Sequence, residues 1–515
     1  MLNFQALRTP AHDGAILIEP AAQKLRALAA ENRSRFASYP GGIAGADWAT
    51  LRRQTRAAIG VDGGTPVIMT GHQPEFIHPG VWAKYIVADR LARALKGAAV
   101  NLVVDNDVPK TLALAVPVVT AGEIVVHQVP FVEKGAGLPY EFLPGLDART
   151  SRQIRERIAG LLADAYDASA MPAFFEGFCT AHDGGLAGQM AAGRAAVERL
   201  FDVHLRDVRV GRVWGGPMPA DWIRRAREFA ASYNQALAEY RREEGIREAD
   251  RPIPDLHIAG SRVELPLWVC ATGSPRQRLY VEQAAGQIRF FAGTEPAGTI
   301  ATDELNDGER FARLLHAAGG RVIRPRALAL TLWARLLACD LFVHGIGGAK
   351  YDRITDRIIR SYYGIEPPAM ACVSATLRLP LPRSPVSRAD LFAARRRVRD
   401  VRYQPERWAT DIPEALPLLA ARLHAIEQSE SLRRDADGRR DHSARREVFE
   451  RLRGLNARLL ALRPSVVDEA RAELERIEHM VRQDRIATGR EYFFALFPRA
   501  KLAQLCDTLP AAGDF

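Results

Sequence analysis

Short apolar runs that end abruptly alternate along the chain with stretches where apolar residues recur every three or four positions. Alternation of this kind predicts an α/β fold. Val67–Met69 is one such run, stopping at Gly71. Val81, Trp82, Tyr85, Ile86, Leu91, Ala92 and Leu95 then keep helical spacing until Gly97, and Val100–Val104 is a second buried run. Strand, helix and strand make a βαβ unit, whose functional loops lie beyond the carboxyl ends of its parallel strands. A second strand–loop–helix follows later. Arg321–Ile323 reads as a short strand, Arg324-Pro325-Arg326 as a helix start, Leu341–Val343 as a strand, Gly345–Gly348 as a glycine-rich loop and Lys350–Tyr363 as a helix. Between the two units, amphipathic helices and a three-stranded meander (Val263–Cys270, Arg278–Glu282, Gln287–Phe291) predict an inserted α+β region. Beyond Pro385, Val448, Leu452, Leu455, Leu459 and Leu462 form a heptad stripe. Val467, Ala470, Leu474, Ile477 and Val481 form another, and the Pro464-Ser465 break between them predicts an antiparallel coiled-coil pair. The expected organisation is a first core half over 1–130, an insertion over 131–320, a second core half over 321–400, a helical arm over 401–490 and a docking segment over 491–515.

The longest apolar stretch, Ala327–Val343, is interrupted by Arg335 and Asp340, so no membrane partner is expected. The first ten residues carry no basic head before an apolar run. The five cysteines form no C-x-x-C pair, so a reduced, cytoplasmic setting without zinc or disulfides is expected. The formal charge of +10 comes from arginines spread among almost as many acids. No basic run interleaved with aromatics marks a nucleic-acid partner, and anionic small substrates account for the excess equally well.

Candidate chemistry gathers at the strand ends. His72 and His78 flank one loop with Gly71 and Gln73, where two imidazoles ahead of a helix suit anion binding and proton transfer; the alternative is that they brace a kinked loop. Asp105 and Asp107 either hold an ammonium group or act as base, or else cap a turn before Pro109. Gly345, Gly347 and Gly348 beside His344 let backbone N–H groups approach an anion, although neither G-x-x-x-x-G-K-[ST] nor G-x-G-x-x-G is present. Arg324 and Arg326 either clamp a carboxylate or phosphate or solvate a helix start. Lysine is scarce, and Lys84, Lys110 and Lys350 all stand beside these loops. No three-ligand metal set can be assembled from local spacing.

Thr70-Gly71-His72-Gln73, the downstream Pro79-Gly80 and Lys84, the strand end Asp105-Asn106-Asp107, and the run from Arg324 through His344-Gly345-Ile346-Gly347-Gly348 together resemble the family of the bacillithiol-biosynthesis cysteine-adding enzyme. The resemblance implies a Rossmann-like core related to nucleotidylyltransferases, connecting insertions, and a coiled-coil arm that makes a homodimer. It also implies a ligase joining cysteine to glucosaminyl-malate. Read onto this chain, His72, His78, Lys84, Asp105 and Asp107 would carry the chemistry. Gly71, Gln73, Arg324, Arg326, His344, Gly345, Gly347, Gly348 and Lys350 would hold a cofactor, which stays open, with ATP or another nucleotide as the candidate. The chain departs from the family pattern at His72, at Asn106 and at Lys350, where a lysine replaces a glutamate and reverses local charge. A different amine and acid are therefore expected as substrates. The alternative reading is a non-catalytic nucleotide- or metabolite-binding scaffold.

Overall fold

The computed structural model describes residues 2–109, 113–132, 137–181, 184–248, 250–306, 321–434 and 442–515. Lys110, named above, lies outside them. The chain divides into two compact units, one of Met1–Val118, Val125–Leu379 and Arg490–Phe515, the other of Val119–Ile124 and Pro380–Gly489. Among the described residues no helix is long and apolar enough to cross a membrane, and the five cysteines are unpaired.

The larger unit is α/β, built on a six-stranded, mostly parallel sheet. Val67–His72 sits inside it, pairing in parallel with Ala98–Val103 on one side and Leu341–His344 on the other. Arg206–Arg209 extends the first side and Met370–Ala375 the second, and Ile16–Glu19 closes the latter edge antiparallel. Successive strands are thus laid outward in one direction before the chain returns to lay the rest in the other. Winding reverses between Val67–His72 and Leu341–His344. The apolar run at Val67, Ile68 and Met69 is fully buried, as a strand covered on both faces requires. It does not stop at Gly71, as the sequence suggested. A Cβ there would come within 3.0 Å of the Leu102 carbonyl, so glycine marks a close approach between strands, and pairing continues to His72 opposite Val103. Pro79 opens the following helix, Pro79–Ala94, and His78 caps it by accepting from the Gly80 N–H at 3.1 Å.

A second sheet in the same unit is antiparallel, with spatial order Glu295–Ala301, Gln287–Ala292, Ser274–Ala284, Arg262–Ala271 and Arg321–Pro325, and Ile258–Ala259 on the side of Arg262. Arg321–Pro325 pairs with Leu267–Ala271. The core sheet therefore resumes at Leu341 and not at Arg321, because a short run with three arginines or prolines in five positions suits a sheet margin better than a doubly covered interior. Register slips between Glu264 and Trp268, and such a bulge re-aims the side chains that follow it. The Gly345–Gly348 run is likewise not a loop. The helix Ile346–Ile358 begins inside it with Gly345 as its cap, leaving Gly347 and Gly348 in the first turn.

The smaller unit consists mainly of the helices Arg388–Tyr403, Leu416–Arg434, His442–Leu462 and Ser465–Ala487. The break at Pro464 falls where expected, but the helices it separates do not lie side by side. Pro464 keeps helical dihedrals, φ −59° and ψ −33°, and as a residue without an N–H it interrupts the helical hydrogen bonding. Each stripe finds another partner: His442–Leu462 packs on Leu416–Arg434, and Ser465–Ala487 packs on Arg388–Tyr403.

Candidate functional site

The carboxyl ends of the two strands that flank the winding reversal open into a cavity of about 440 Å³. Gly71, His72 and Gln73 reach it from one strand, Asn106 and Asp107 from its neighbour, and His344 from the other, with Gly348, Tyr351 and Asp352 following on the next helix. The antiparallel sheet supplies the opposite wall through Trp268, Arg276 and Arg326. Apolar side chains, Phe342, Tyr233 and Leu328 among them, make up most of the rest, which is the usual composition of a small-molecule pocket.

The reach of distant partners sorts the candidates. Asp107 accepts from Gln73 Nε2 at 2.9 Å and pairs with Arg276 at 2.7 Å, at the cavity wall. Asp105 does not reach it. Its carboxylate is fully buried, held by Arg209 Nε at 2.7 Å and by the Gly211 N–H at 2.8 Å, and serves as a structural lock. Arg326 lines the cavity but arrives neutralised by Glu264 at 2.7 Å, with its guanidinium 4.3 Å above the Trp268 ring. Arg276 lies 4.5 Å from the same ring, so the indole contacts two guanidiniums. Arg324 points the other way, bonded twice over to Glu141 and to the Gly211 carbonyl, and is 4% exposed.

His72 stands at the rim, its Nδ1 3.2 Å from the Gln73 carbonyl and 3.6 Å from Glu75. His78 is no proton carrier. Burial, with help from Arg490 and Lys84, pushes its imidazole down to about 3, which keeps it a neutral cap. Lys84 is 4% exposed and donates from Nζ to the Gly71 carbonyl at 2.9 Å, bracing the strand instead of entering the cavity; burial pushes its ammonium down to about 8. Gly345, Gly347 and the exposed Lys350 do not line it.

No family model and no curated protein matches the chain. Its chemistry must be read from the side chains themselves. The arginines come paired with carboxylates, so the cavity is not the uniformly cationic, anion-accepting pocket its histidines and arginines suggested. The cavity side chains with a nitrogen lone pair to offer are the two imidazoles, His72 and His344. His344 is buried, and its Nε2 lies 3.0 Å from Asp352 Oδ2, which Arg335 also holds at 2.6 Å. Sequence reasoning passed over Arg335, Trp268 and Arg276. Arg335 sits within an apolar stretch, where a lone arginine is itself a signal that a buried carboxylate awaits it. Arg276, just past a turn, offers no such signal. Among the described residues no three His, Cys, Asp or Glu side chains gather in a metal-ligating group.

Proposed function

We propose that this cavity is the active site of a ligase-like enzyme with a Rossmann-like core, which joins an amino acid, cysteine or one similar, to a small anionic amine-bearing acceptor. What carries the reading is that His72, Asp107 and His344, from three adjacent strand ends, open into one cavity where the winding of the sheet reverses, the place where open α/β sheets take their ligands. The Asp107–Arg276 pair adds to it. The two side chains are 29% and 23% exposed, so a zwitterionic amino acid can part them and satisfy both, its ammonium on Asp107 and its carboxylate on Arg276. Phe342 and Leu328 give the cavity apolar lining, and ATP or another nucleotide remains the candidate co-substrate. The unpaired cysteines suit a reduced cytoplasm.

The second reading, a metabolite-binding scaffold, draws on one observation: both carboxylates at the cavity are already engaged by arginines, leaving no free acid to serve as base. The test incubates the full chain with cysteine, ATP, Mg²⁺ and glucosaminyl-malate or related amino sugars, and searches for the amide product by mass spectrometry. Calorimetry follows amino-acid binding in parallel. Arg276→Gln and Asp107→Asn should each weaken that binding about tenfold, on the order of 1.4 kcal/mol. Binding that both variants leave untouched refutes the site. Binding without product favours the scaffold.

A further inference from the structure

We propose that His344 is the proton acceptor of this cavity, working through Nδ1 as a general base on an O–H or N–H group of the bound small molecule, with Asp352 and Arg335 as positioning residues. The assignment rests on the cavity being an active site. His344 ends its strand with the ring 4.5 Å from that of Phe342 and Nε2 3.0 Å from Asp352 Oδ2. Asp352 lies two turns into the following helix, its side chain 2% exposed, and accepts from Arg335 at 2.6 Å. Arg335 reaches Asp356 with its other arm, also at 2.6 Å. Burial alone would favour the neutral acid of Asp352, but Arg335 and His344 outweigh it and hold the carboxyl well below the usual carboxylate range.

An ionised carboxylate only accepts hydrogen bonds, so Nε2 must carry the hydrogen, and the neutral ring keeps its lone pair on Nδ1. Nδ1 makes no hydrogen bond among the described residues. Over it stands Gly348. A Cβ at that position would come within 2.8 Å of Nδ1, and glycine leaves the space open towards the cavity that both residues line. Glycine in a helical turn costs up to about 1 kcal/mol against alanine, so its use here calls for a local reason, and access to Nδ1 supplies one. In the step itself the substrate proton passes to the Nδ1 lone pair. The electrons of the broken O–H or N–H bond stay on the substrate heteroatom, which becomes the nucleophile, and the imidazolium faces the Asp352 carboxylate until it returns the proton to a leaving group or to water.

The experiment uses the full chain labelled with ¹⁵N-histidine, the His344 ring signals being identified by their loss in His344→Gln. The neutral ring should show the Nε2–H tautomer, and Asp352→Asn should shift it towards a mixture. Gly348→Ala, which sets a Cβ within 2.8 Å of Nδ1 so that the His344 ring must give way slightly, should keep its helicity by circular dichroism and slow carbethoxylation of His344 by diethyl pyrocarbonate fivefold or more, read by peptide mass spectrometry. An Nδ1–H tautomer in the wild type, or an unchanged rate in Gly348→Ala, overturns the assignment, and both readouts decide it even if Asp352→Asn fails to fold. Neither needs a ligand. A chain that passes them and binds no amino acid would defeat the proposed function and not the dyad.

Discussion

Asp105 and Asp107 stand two apart in the turn just past the strand Ala98–Val103, and only Asp107 reaches the cavity. The difference lies in partners more than a hundred residues downstream: Arg209 and Gly211 take Asp105, and Arg276 takes Asp107. Arg324 and Arg326 part in the same way, to Glu141 and Glu264. That polar clusters would lie at the carboxyl edge was legible in the sequence. Which member of each cluster faces the cavity was not, because spacing carries no information about a distant counter-charge. Lys84 shows the same limit and allows a pH test. Burial pushes its ammonium to about 8 from an ordinary 10.5. Between those values the unfolded chain holds a proton that the folded chain has released, so the contribution of this residue to stability rises with pH across the window; below about 8 the fold carries a buried cation. Lys84→Met removes that dependence. The unfolding free energy of the wild type minus that of the variant, measured in urea, should grow by about 3 kcal/mol from pH 8 to 10.5, at roughly 1.4 kcal/mol per pH unit. A difference that does not vary with pH would mean that the folded state solvates or pairs the ammonium after all.

Elements whose pattern was strictly periodic or wholly apolar were legible, and those defined by their neighbours were not. Val67–Met69 and the meander strands follow from their own residues. Arg321–Pro325 joins the antiparallel sheet only because Leu267–Ala271 is there to receive it. The seam between helix Trp48–Ala58 and the core sheet likewise depends on residues far apart in the sequence. Asp340, 1% exposed, accepts from Arg52 at 2.7 Å, from Arg56 at 2.6 Å and from the Val67 N–H at 2.8 Å. One carboxylate thus ties a helix to the start of the strand that ends in His72. Removing its charge leaves two buried guanidiniums uncompensated, a loss of about 3–5 kcal/mol. Asp340→Asn should therefore lower the urea midpoint by the corresponding amount while Asp340 touches no part of the cavity. A change under about 1 kcal/mol would show that water or rearrangement replaces the carboxylate.

At the scale of the whole molecule the α/β class, the antiparallel meander and the helical C-terminal part were legible, since each has its own period, whereas Arg206–Arg209, inside the expected insertion, is a strand of the core sheet. The pairing of the helices in the smaller unit was not legible, because any apolar stripe matches any other. That unit also raises the question of self-association. Seven of the nine large apolar side chains exposed among the described residues belong to it, although it is much the smaller unit. Single exposed residues need no explanation, but a run of them on packed helices marks a contact surface. Leu416 and Leu423, 54% and 59% exposed, recur seven apart on one helical face. Bonds from Arg422 to Asn456 and from Arg451 to Gln428 set the partner helix antiparallel, which brings Leu462, 40% exposed, level with Leu416. A second copy of the chain is the partner expected on this face. Leu455 and Leu459, the positions the heptads nominate, are 8% and 0% exposed and hold the unit together, so charging them would unfold it and say nothing about assembly. Leu416→Lys with Leu423→Lys is the informative change. Light scattering should give a dimer for the wild type and a monomer for the double variant, with helicity by circular dichroism unchanged. A wild type that stays monomeric at tens of micromolar would rule the surface out as a self-association site, because interfaces of ordinary size bind in the micromolar range or tighter.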